Sequence, residues 1–205
     1  MVTICIIIVT SVVSLIAMYN HQLFYRLCFS PTMIIQNKQW YRTFSYGLVH
    51  ADFMHLFVNM FVLWFLGLQV EKAYLYLWGN PAGLGLYLLL YISALFFSTI
   101  PDIRKHADDD SYIAVGASGA ISAIIFAGIL LFPLQKLYIL FIPIGIPSVI
   151  FGILYLIYSA YMDKYGHDNI GHNTHFWGAI YGFLFAIIFK WKLLVAFFTQ
   201  ILQIF

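Results

Sequence analysis

Six long apolar runs constrain this chain more than any other feature. They lie near Val2 to Met18, Phe53 to Val70, Ala82 to Ile100, Val115 to Phe132, Ile146 to Tyr161 and Thr174 to Phe189. They are runs, not stripes backed by polar residues, so they do not read as surface helices of a water-soluble domain. A hydrocarbon core roughly 30 Å thick needs about 20 mostly apolar residues at about 1.5 Å of rise each. The 205 residues are 63% hydrophobic and only 9% charged, which is a membrane composition. The expectation is an all-α membrane protein of six transmembrane helices. With no internal repeat or low-complexity tract to divide it, residues 1–205 read as one domain.

The first run is expected to be a retained helix and not a secretory signal. Met1 to Thr3 carry no Lys or Arg, and no small-residue cleavage site follows. With the run beginning at Met1, no cytoplasmic domain is expected ahead of it. Trp40, Trp78, Tyr112, Tyr161 and Trp191 stand near run ends, where such rings rest at the headgroup level or pack in a core. The net charge of +2, without a basic stripe, gives no reason to expect a nucleic-acid partner. Cys5 and Cys28 form neither a zinc framework nor a disulfide scaffold.

Between the first two runs, Asn20 to Asp52 is long and semi-apolar, with Phe24, Leu27, Phe29, Pro31 and Trp40, so it is expected to be functional and to lie partly in the membrane interface. The other polar stretch, Pro101 to Ser111, reads as a solvated loop around Asp108, Asp109 and Asp110. Six helices put both termini on one side. The opposite side then carries six basic residues, Arg26, Lys38, Arg42, Arg104, Lys105 and Lys164, against four, Lys72, Lys136, Lys190 and Lys192, and charge does not orient the chain.

Polar groups inside apolar runs are costly and mark function by default. His55 and Asn59 are four apart on one helix face, with His50 just before them in HADFMHLFVN. Ser118 sits in GASGA, where Gly116 and Gly119 clear space on both sides near a helix start whose free N–H groups suit an oxyanion. His172 and His175 lie in GHNTHFWGAIYG. No Asp or Glu lies within a run, so an aspartyl mechanism has no carboxylate pair. There is no H-E-x-x-H, and four histidines over two runs lack the carboxylate or thiolate a metal centre would add. A serine nucleophile with a histidine base remains. Periodicity does not choose between the two histidines. The spacing of His175, Gly178 and Gly182 puts His175 above a glycine groove that can receive Gly119 and Ala123, while His172, after Gly171, reads as a hydrated loop residue.

The combined pattern resembles the rhomboid family of intramembrane serine proteases. It has W-x-R at Trp40 and Arg42, H-x4-H-x3-N at His50, His55 and Asn59, G-x-S-G at Gly116 to Gly119, and H-x2-G-x3-G at His175, Gly178 and Gly182. The resemblance implies a compact six-helix bacterial form with a membrane-embedded loop after the first helix and Arg42 bonded within it. It implies cytoplasmic termini and an active-site mouth facing outward. Ser118 would be the nucleophile of a buried dyad, His175 its general base, and the Ser118 N–H, His55 and Asn59 the oxyanion donors. Transmembrane segments of other proteins would be the substrates, with no cofactor. Many members carry an aromatic residue four places after the serine, packed on the histidine. Ser122 stands there, which leaves open what holds His175. The fifth run, by the same likeness, would move to admit substrate, so Phe151 and Tyr155 are expected to be replaceable. Two rival readings are an inactive relative that binds transmembrane segments and a small transporter with a histidine path. The first loses the serine or histidine, and the second calls for two matching halves.

Overall fold

The computed structural model describes residues 1–138, 144–168 and 170–203. Helix α1 (Val2–Tyr19) is followed by three short helices, α2 (His21–Leu27), α3 (Pro31–Gln36) and α4 (Arg42–Ser45). Helix α5 (Phe53–Val62) runs through a π-helical turn, Leu63–Gly67, into α6 (Leu68–Trp78). Next come α7 (Ala82–Phe97), α8 (Ile100–Lys105) and α9 (Ser118–Leu131). Strands β1 (Lys136–Tyr138) and β2 (Gly145–Pro147) pair antiparallel, with Leu137 opposite Ile146, and lead to α10 (Ser148–Tyr165), α11 (His172–Phe189) and α12 (Lys192–Leu202). This small ribbon is the one departure from an all-helical chain among the described residues.

Among the described residues three helical stretches, Val2–Tyr19, Phe53–Trp78 and Ala82–Lys105, are long and apolar enough to cross a membrane, and α11 with α12, bent by 112°, would add a fourth if taken as one span. The other two expected spans differ. Helix α10 ends in Asp163 and Lys164, which lower its apolar character. Helix α9 has 14 residues, about 21 Å at 1.5 Å per residue, too short for a core of roughly 30 Å. It lies instead at the centre, with ten of its residues buried. A wholly buried helix need not reach both faces, and small residues let its neighbours come close. A Cβ on Gly178 would strike the Gly119 carbonyl oxygen, and one on Gly182 that of Ala123, so α9 and α11 touch backbone to backbone.

Helix α1 is fastened to this body at both ends. The buried Glu71 carboxylate of α6 accepts from the N–H groups of Val2 and Thr3, each at 2.8 Å, and from the Thr3 hydroxyl at 2.6 Å. A carboxylate at a helix N-terminus satisfies free donors and meets the positive end of the dipole. Further along, Ser14 bonds His50 at 2.9 Å. The segment before α5 is folded through Arg42, which is buried and donates to the carbonyls of Tyr25 (2.8 Å) and Cys28 (2.7 Å) and to Gln39 Oε1 (2.7 Å). Phe29 and Ala114 exchange backbone bonds of 2.9 and 3.1 Å, and the Gly116 N–H donates to the Tyr46 carbonyl at 3.0 Å. Residues 20–52 thus brace the chain just before Ser118.

Candidate active site

Ser118 is the first residue of α9. The helix starts there because Gly116 takes φ +110°, a conformation L residues rarely adopt, and turns the incoming chain. Gly116 is required twice, since a Cβ there would also lie 2.7 Å from the His55 ring. The Ala117 N–H points to His50 Nε2 at 3.4 Å, so that nitrogen is the acceptor and Nδ1 donates to Ser14. His50 is fully buried and joins α1 to the start of α9. Among the described residues the Ser118 N–H has no acceptor, leaving a donor free at the helix start.

His175 comes from the first turn of α11, and its Nε2 lies 2.8 Å from Ser118 Oγ. Both side chains are half-buried. The glycine contacts between α9 and α11 bring the two helices close enough for this bond. The flank of α11 is fixed from α8: buried Asp102 accepts from the Thr174 hydroxyl at 2.8 Å and from the Asn173 amide. The sequence reading missed Asp102, which falls in a polar stretch. Asp108, Asp109 and Asp110 of that stretch are exposed, as expected of a solvated loop.

His172 is not a hydrated loop residue. It opens α11, is 5% exposed, and its Nε2 lies 3.1 Å from Asp168 Oδ1, with Tyr158 edge-on against the ring at 5.5 Å. The helix begins earlier than the glycine before it suggests, because Asp168 offers an acceptor that lets the ring turn inward. That hydrogen bond holds the Asp168 carboxyl below its usual range. Asp168 is therefore engaged by His172 and not by His175.

His55 and Asn59 both lie on α5, beside the turn at Gly116. The His55 N–H is capped by Asp52 at 2.7 Å. The buried Asn59 amide donates to the His55 carbonyl at 2.9 Å, and its Oδ1 has no partner among the described residues. His50 and the glycines Gly116, Gly119, Gly178 and Gly182 support backbone and helix contact around this serine and histidine, while Arg42 lies further off, bonded within the loop before α5.

Tyr155 of α10 is a second residue that sequence reasoning misplaced. Its ring lies over His175 with centroids 6.4 Å apart and planes 29° from parallel, and its hydroxyl is 2.6 Å from Ser122 Oγ. It is part of the packing around His175 and not a free outer position. The small Ser122 leaves the room that this ring from another helix fills. Phe151 packs behind it, with ring centroids 5.8 Å apart.

The arrangement holds a hydroxyl and an imidazole at general-base distance, beside a helix start with a free N–H. Among the described residues no three His, Cys, Asp or Glu side chains come together as metal ligands. The family model of the rhomboid domain matches residues 37–192. Over 139 residues, 63% of this chain, the sequence is 30% identical to RHOMBOID-like protein 12, mitochondrial, of Arabidopsis thaliana, covering 40% of that protein. Over 153 residues, 75% of the chain, it is 28% identical to Rhomboid protease GluP of Bacillus subtilis (strain 168), covering 27% of it. The chain spans less than half the length of either relative.

Proposed function

As this chain belongs to the rhomboid family, we propose that it is a serine endopeptidase that cuts transmembrane segments of other proteins, with Ser118 as nucleophile and His175 as base. Membership and the apolar helices make it an integral, multi-pass membrane protein. The observation that carries the reading is the 2.8 Å contact of His175 Nε2 with Ser118 Oγ. To act as base, His175 accepts the Ser118 hydroxyl at Nε2, and the neutral ring then bears its proton on Nδ1.

In this reading His175 takes the Oγ proton as Ser118 attacks the scissile carbonyl. The tetrahedral oxyanion is met by the Ser118 N–H, the His55 ring and the second amide hydrogen of Asn59, the first being used on the His55 carbonyl. Collapse passes the proton from His175 to the leaving amine and leaves an acyl ester on Ser118. Water, deprotonated by the same ring, then releases it. Among the described residues no carboxylate bonds the His175 imidazole, and Asp168 is taken by His172. The scissile carbonyl of an intact helix is already hydrogen-bonded, so local unwinding of the substrate precedes attack. The proposed orientation has cytoplasmic termini in a bacterial inner membrane, with the site opening outward.

The test is a fluorophosphonate probe on the purified chain, together with cleavage of a model transmembrane substrate. Labelling and cleavage are expected in wild type, unaffected by chelators, and absent from Ser118→Ala. Cleavage that chelation stops and zinc restores would overturn the serine mechanism.

A further inference from the structure

Among the described residues His175 has no carboxylate hydrogen-bond partner and two aromatic neighbours, so packing is what sets its ring plane there. His172 meets it edge-on at 6.0 Å, and Tyr155 is the one ring lying near parallel to it among the described residues. Tyr155 is itself placed by Phe126 of α9, 5.7 Å away, by Phe151, and by its hydroxyl on Ser122.

The direction of that hydroxyl bond follows from proton count. Ser122 Oγ lies 2.8 Å from the Ser118 carbonyl oxygen, which can only accept, so the single Ser122 proton goes there. Tyr155 must then donate to Ser122 Oγ. The chain Tyr155, Ser122, Ser118 carbonyl therefore runs from α10 into the first turn of α9, at the residue whose side chain faces His175. One residue thus touches both partners of the pair, the imidazole through its ring face and the serine's backbone through one intervening hydroxyl.

Helix α10 is peripheral. Only Ser148, Gly152 and Ser159 are buried along its 18 residues, while Ile150, Ile153, Leu154, Ile157 and Tyr161 are exposed. Tyr155 lies on the seam between Gly152 and Ser159, so α10 docks through small residues and inserts one large ring. We propose that Tyr155 is the positioning residue for His175, so that serine and histidine are correctly set only while α10 is docked. This rests on the protease reading above. Tyr158, one turn on, meets the His172 ring edge-on at 5.5 Å, so α10 sets an aromatic residue beside each histidine.

The test compares Tyr155→Leu, Tyr155→Phe, Ser122→Ala and the Tyr155→Phe/Ser122→Ala double variant in the full chain. Fluorophosphonate labelling rate, kcat and KM on a model transmembrane substrate, and thermal midpoint are measured. A misplaced base slows chemistry without weakening substrate binding, so Tyr155→Leu is expected to lower kcat and labelling rate by about 10- to 100-fold with KM nearly unchanged. Tyr155→Phe keeps the ring and is expected to recover most of that loss. Because the two hydroxyls act as one chain, the double variant should lose no more than the worse single variant. Tyr155→Leu labelling at the wild-type rate, or Tyr155→Phe no better than Tyr155→Leu, would overturn the proposal. If Tyr155→Leu does not fold, Tyr155→Met, which fills the volume without a ring, takes its place: slow labelling that Tyr155→Phe recovers supports the proposal, and a wild-type labelling rate overturns it. A wild-type protein that never labels overturns the protease reading itself.

Discussion

Asp168 accepts from His172, 3.1 Å away, and not from His175, three residues further along α11. Only His175 is within reach of the serine hydroxyl. His175→Ala is expected to abolish probe labelling and cleavage. His172→Ala removes a buried neighbour of the His175 ring but no proton carrier, and should keep a measurable fraction of both. Mass spectrometry of labelled protein in folded preparations checks this, and the reverse pattern would move the base to His172.

Asn59→Ala and His55→Ala should slow turnover without ending it, because each removes one oxyanion donor and no bond-making group. The expected loss is about 10²- to 10³-fold in kcat for each. Steady-state kinetics on a model substrate would read it. If Asn59→Ala turns over as fast as wild type, the bond to the His55 carbonyl is the whole of its role.

Gly178→Ala and Gly182→Ala place a methyl group against the carbonyls of Gly119 and Ala123, with backbone and not a flexible side chain in the way. Helix α11 has to move off α9, at a cost of about 1–3 kcal/mol for an overpacked contact. A lowered thermal midpoint and reduced labelling of the folded fraction are expected together, since the same separation draws His175 from Ser118. A variant with wild-type midpoint and labelling would show that the helices have room to spare.

Glu71→Ala strips the acceptor from the Val2 and Thr3 amides and the Thr3 hydroxyl. Hydrogen bonds to a charged group contribute about 1.5–3 kcal/mol, so the thermal midpoint should fall clearly. Labelling of the protein that remains folded should stay near wild type, because Glu71 touches neither Ser118 nor His175. Glu71→Gln, which keeps an acceptor, should lose less.

Much of the site was legible in the sequence because its parts are residues that lipid ordinarily excludes. A histidine or serine inside an apolar run announces itself, and the glycines that let α9 meet α11 show as spacing. Tyr155 was not legible, since an aromatic residue in a membrane helix looks like any other, and only tertiary packing tells which ring it covers. Glu71 and Asp102 sit one or two residues beyond the apolar runs, where a charge reads as solvated until the helices fold back over it. His172 was misread because Gly171 looks like a loop, while the acceptor that draws the ring inward, Asp168, lies four residues earlier. The length of α9 followed neither from its run nor from its composition, because Gly116 cuts the helix at Ser118 although the residues before it are equally apolar.

That shortness has a consequence for where the chemistry meets water. The far end of α9 is held at Leu131, whose carbonyl accepts from Gln200 of α12, and α12 turns 112° away from α11. Thirteen residues of rise put Ser118 about 20 Å from that end, in a slab roughly 30 Å deep. With the Leu131 end of α9 at one face of that slab and the helix upright, its Ser118 end would fall about 10 Å short of the other, and that gap would vary with the lipids as well as with the protein. A thicker bilayer would widen that gap, and a thinner one would bring the serine end nearer the headgroups. In the proposed protease, acyl-chain length is thus expected to bear on turnover, through hydrophobic mismatch at a central helix of only 14 residues.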